Sequence, residues 1–102
     1  MRITPLQQRI MVRRHAEQAL DDLARLIVTH RAEILRRNEL RTNSIGIHEY
    51  GDRTWHLPTL RLVSEAIDEL ADGLFYLTPP LARTAGDLVW DPAGDTVYRV
   101  AL

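Results

Sequence analysis

A chain of 102 residues with 45% apolar and 26% charged side chains has the size and composition of one globular domain, not of a disordered tail. It has no cysteine, which excludes disulfides, thiolate nucleophiles and thiolate metal sites. No apolar run approaches the ~20 residues that span a bilayer. Formal charge is −1 overall but unevenly placed: residues 1–41 carry nine arginines against five acids, and residues 42–102 carry four against nine. All 13 basic residues are arginine, which fits a GC-rich coding bias or a need for forked donors to carboxylate and phosphate.

Thr4-Pro5-Leu6-Gln7 opens the first element. Thr suits the N-cap, Pro the first helical position and Gln the third, where its side chain reaches back to the cap. No Gly or Pro then occurs until Gly46, and the spacing predicts helix to about Leu40. Ala16, Leu20, Leu23, Ile27, His30 and Ile34 recur at alternating spacings of four and three, which places them on one stripe. A helix over 5–40 is ~54 Å long at 1.5 Å per residue, whereas a chain of this size has a radius of gyration of ~13 Å. Either the helix breaks, with Thr29-His30 the weakest point after the β-branched Ile27-Val28, or another chain covers the overhang.

Residues 42–57 read as a hairpin, Ser44–Tyr50 against Arg53–Leu57 around a Gly51-Asp52 type II′ turn, with Trp55 packed beneath. A second helix is predicted from Pro58 to about Asp72, with Gly73 at its C′ position and Leu60, Val63, Ile67, Leu70 and Leu74 as its apolar stripe. Leu74–Leu77 reads as a short strand stopped by Pro79-Pro80, and Asp87–Leu102 as a hairpin turning at Asp91–Asp95. Its expected core face carries Leu88, Trp90, Tyr98, Val100 and Leu102.

The expected fold class is therefore α+β: a long or broken N-terminal helix, a β-hairpin, a second helix and a small antiparallel C-terminal sheet. The expectation is one domain over 1–102, with 1–41 a basic helical part and 42–102 an acidic mixed α/β part. The order of second helix, Leu74–Leu77 and terminal hairpin is loosely similar, over about 45 residues, to the recognition helix and wing of winged-helix regulators. That resemblance implies nucleic-acid binding.

Candidate chemistry is sparse. The cluster from His48 to His56 is dense in polar groups, but hairpin register puts His48 and His56 on opposite faces and leaves only Glu49 beside His56. Ser44 and Ser64 sit in no nucleophile elbow, and the five glycines form no phosphate loop. Asp87 and Asp91 read as solvated turn residues. The expectation is accordingly no enzyme, no catalytic or metal residue and no cofactor.

What remains is an interaction or regulatory protein, of the kind found among phage and mobile-element accessory proteins. It is expected to bind another protein of unknown identity and to form a homodimer through Ala16, Leu20, Leu23, Ile27, His30 and Ile34. The alternative is a small nucleic-acid-binding regulator that lays Arg9, Arg13, Arg14, Arg31, Arg36, Arg37 and Arg41 along a phosphate backbone. Met1–Gln8 lacks the cationic-then-apolar order of a secretory signal, so a cytoplasmic location without membrane contact is expected.

Overall fold

Among the described residues three α-helices carry the chain: α1, Pro5–Thr29; α2, Arg31–Arg41; and α3, Thr59–Thr84. Two strands follow, β1, Leu88–Asp91, and β2, Thr96–Val100. The computed structural model describes residues 3–46, 51–91 and 96–100. Contacts cluster into two compact units, one made of Met1–Leu23 with Asp72–Leu102 and the other of Ala24–Ala71.

The start of α1 follows from its first four residues. The Thr4 N–H donates to Gln7 Oε1 at 2.9 Å, and the Gln7 N–H donates to Thr4 Oγ1 at 3.1 Å. This reciprocal capping box satisfies two donors that a helix N-terminus otherwise leaves open. The helix is interrupted at one residue, His30, with φ −106° and ψ 25°. Hydrogen bonds of α type bridge it, His30 N–H to the Leu26 carbonyl and Ile34 N–H to the His30 carbonyl. The interruption falls beside the Thr29-His30 point where β-branched residues weaken the helix.

The α+β class does not hold. The chain is helical, and the only ladder among the described residues is the two-stranded pairing of β1 with β2, too small to form a sheet layer. The hairpin expected over 42–57 is replaced by a π-helical turn, Thr42–Gly46, and a 3₁₀ turn, Arg53–His56; residues 47–50 lie outside the described residues. Ser44 and Thr42 spend their hydroxyls on the Leu40 and Asn38 carbonyls one turn back, which prolongs helix where strand was expected. Gly51, with φ +58°, takes the left-handed conformation. Trp55 is 86% exposed and packs beneath nothing.

The strand expected at Leu74–Leu77 is also helix, and so is Gly73, where that helix was expected to stop. α3 runs through both Pro79 and Pro80. Each proline removes one N–H and crowds a carbonyl of the preceding turn, at ~3 kcal/mol or more in a free helix. Burial offsets that cost: Thr78 and Ala82, on either side of the pair, are buried, and Ala82 joins Met11 and Leu88 in the core cluster of the first unit, with Ile3 against it. A Cβ at Gly73 would meet a Leu23 methyl at 3.8 Å, an ordinary contact, so the packing does not require glycine there.

α3 ends in a Schellman motif. Gly86 has φ +83°, its N–H donates to the Arg83 carbonyl at 3.2 Å, and the Asp87 N–H donates to the Ala82 carbonyl at 2.8 Å. β1 then starts at once. It pairs antiparallel with β2, Leu88 with Val100 and Val89 with Arg99, before a bulge shifts the register so that Trp90 pairs with Val97 and Asp91 with Thr96. The expected even-numbered core face is therefore not continuous along this ladder. The expected turn lies, at 92–95, outside the described residues.

Candidate functional site

The most constrained polar group in the first unit is Asp87. The Schellman motif fixes its backbone, and its carboxylate reaches α1. Oδ1 accepts from Arg14 Nη1 at 2.9 Å, and Oδ2 accepts from His15 Nε2 at 2.7 Å. The His15 and Asp87 side chains are only 12% and 10% exposed, while Arg14 is 44% exposed and keeps one edge in water. A carboxylate can orient an imidazole for proton transfer. Here, however, both oxygens are occupied by neighbouring donors of one helix, and among the described residues no buried polar side-chain atom lacks a partner. The arrangement is a fastener that ties the α3 C-terminus and the start of β1 to α1.

Sequence reading placed Arg14 in a phosphate-binding row and Asp87 on a solvated turn. The usable signal was Gly86-Asp87 after a helical segment, a C′ glycine followed by a residue whose position the cap then dictates. It was hidden because Gly73 reads as the end of that helix and Pro79-Pro80 as the stop of a strand, so no helix is expected to reach Gly86.

Beside the fastener, Ile3, Met11, Val12, Phe75, Pro79 and Leu88 line a groove of about 220 Å³. Among the described residues no group of three or more His, Asp or Glu side chains could hold a metal ion. His56 pairs with Asp52 at 3.0 Å on an exposed surface; Glu49, its expected neighbour, lies outside the described residues.

The seven candidate arginines divide. Arg14 is held by Asp87, and Arg36 and Arg37 both bond Glu33. Arg36 donates to Glu33 through Nε at 3.0 Å and Nη2 at 2.6 Å, and Arg37 through Nε at 2.8 Å. These bonds, Arg36 first and then Arg37, hold the Glu33 carboxyl down to about 2, and Glu33 raises Arg36 in return. Arg9, Arg13, Arg31 and Arg41 are exposed, and among the described residues none of them has a carboxylate partner.

The apolar stripe of α1 and α2 is partly open. Ala16 and Leu23 are half-buried, whereas Leu20, Ile27, His30 and Ile34 are exposed. No helix among the described residues is long and apolar enough to cross a membrane. No protein-family model matches the chain, and no curated protein or solved structure is significantly similar to it.

Proposed function

We propose that the chain is a non-enzymatic interaction protein that binds another protein and associates with itself through α1 and α2. The observation that carries this reading is the exposure of Ile27 and Ile34 in the second unit, and of Leu20 in the first, while no large side chain among the described residues is fully buried. Exposed apolar side chains that gather into a patch mark association sites. A two-fold partner covers it with the same patch and closes the assembly.

Light scattering after gel filtration at micromolar concentration is expected to give twice the 11.7 kDa chain mass. Ile27→Asp is expected to shift the protein to monomer without loss of helix in circular dichroism. A wild-type monomer across that range sinks the self-association half of the reading. The nucleic-acid alternative is weakened by the engagement of three of its seven arginines with carboxylates. Binding to generic duplex DNA that falls steeply with salt is the result that would restore it.

A further inference from the structure

Cations edge the apolar groove of the first unit. Its inner wall is Met11, Ala82 and Leu88, the buried residues of the core cluster. Val12 is partly buried, Phe75 is exposed, and Arg83 lines the groove from α3. A more open depression continues past Gln8, Val12 and Phe75 along α1, where Arg9 and Arg13 join the lining. Among the described residues no Asp or Glu lines either part. Asp87, next to Leu88 in the chain, has one carboxylate oxygen on Arg14 and the other on His15.

We infer that this groove binds a small anionic amphiphile, an alkyl carboxylate of medium length. Its chain lies on Met11, Ala82 and Leu88, and its head meets Arg83, with Arg9 and Arg13 adding positive potential at the open end. The inference goes beyond the self-association reading and does not depend on it, since no lining residue belongs to the apolar stripe of α1 and α2.

Size selects a small molecule over a protein partner. Ten residues line the groove, whereas each side of a standard protein interface supplies ~20–30. An apolar cavity of ~150 Å³ already takes up benzene, so about 220 Å³ has room for a short alkyl chain. Polarity selects the orientation. Gln8 Nε2 donates to the Ile3 carbonyl at 3.0 Å, and the Thr78 hydroxyl to the Leu74 carbonyl at 3.4 Å. The neutral polar groups of the lining are thus turned to backbone, and the inner wall suits methylenes. Charge selects the sign of the head. A guanidinium carries five N–H donors in a fork that matches a carboxylate. A cationic head would meet arginines and no acid.

Octanoate, 1-octanol and octylammonium share a chain and differ in the charge of the head. Titration calorimetry of the full chain is expected to show one octanoate bound per chain, with octanol weaker and octylammonium not bound. Arg83→Gln, at an exposed position, is expected to weaken octanoate by about tenfold or more through loss of a charge-assisted pair. Octanol binding should not change in that variant. Met1 and Met11 are the two methionines, so methyl-labelled methionine reports the location: octanoate should shift the Met11 signal. Absence of octanoate binding, binding that leaves the Met11 signal in place, or octanol bound as tightly as octanoate overturns the inference. So does a folded Arg83→Gln variant with wild-type affinity for octanoate. The self-association reading is tested apart from all of these, by the mass of the wild type in light scattering.

Discussion

Asp87 Oδ2 lies 2.7 Å from His15 Nε2, joining the residue after a helix cap to the middle of α1 across 72 positions of sequence. Both side chains are largely out of water, so the contact has energetic weight that a surface pair lacks.

Asp87→Asn removes the charge and keeps the size, leaving Arg14 and His15 with a weaker acceptor. A loss of about 1–3 kcal/mol is expected, as for a buried hydrogen bond to a charged group. Chemical denaturation of the variant beside the wild type measures it. No change would show that the fastener is a consequence of the fold and not a contributor to it.

Gly86→Ala tests the cap itself. Nothing stands within 4 Å of a Cβ at this position, so the cost is purely conformational: an L side chain must adopt φ +83°. A destabilisation of about 1 kcal/mol is expected. The variant should also lose protection from hydrogen exchange at the Asp87 amide, which the motif ties to the Ala82 carbonyl.

Pro80→Ala should act in the opposite direction. It restores an N–H for the Tyr76 carbonyl and removes the ring that crowds it. Pro80 is exposed, so little packing is lost. A rise in stability of about 1–3 kcal/mol is expected, read as a higher unfolding midpoint. A fall would mean that the proline pair sets a bend the packing requires.

Glu33 gives a pH signature. Its carboxyl is held at about 2, below the usual 4.5, by Arg36 and Arg37. A depressed carboxyl contributes stability that is complete above its unfolded value and fades as pH falls through its folded one. The helicity of α2 is therefore expected to decline between pH 4.5 and about 2. Glu33→Gln should flatten that part of the titration. The group is exposed, so the effect is small and weakens with salt.

Local signals were legible where neighbours in sequence decide the structure. Thr4 and Gln7 announce a cap that the structure contains, and Ile27-Val28-Thr29 marks the weak point beside His30. The start of α3 just after Pro58 follows from proline's preference for a first turn. The rest depends on partners far away. Pro79-Pro80 stays helical because Ala82 has Met11 and Leu88 to pack against, which no local pattern reveals. His48–His56 alternates like a strand, yet Trp55 finds no layer to cover and the described part of the segment winds into a 3₁₀ turn instead. For the candidate site, Arg14 and His15 were visible as a cluster, but their acceptor lies beyond a helix end that had been drawn too early.

Consecutive residues point about 100° apart around an α-helix. Because Asp87 grips Arg14 with one oxygen and His15 with the other, it grips α1 from two directions at once. A single contact would leave the helix free to roll about its own axis; two adjacent ones fix its azimuth. Met11 sits one turn earlier, at an angle between the two, and it is the residue that enters the core with Ala82 and Leu88. The polar grip thus works as a key for the apolar contact beneath it: rolling α1 far enough to withdraw Met11 would have to break a bond to one oxygen or the other.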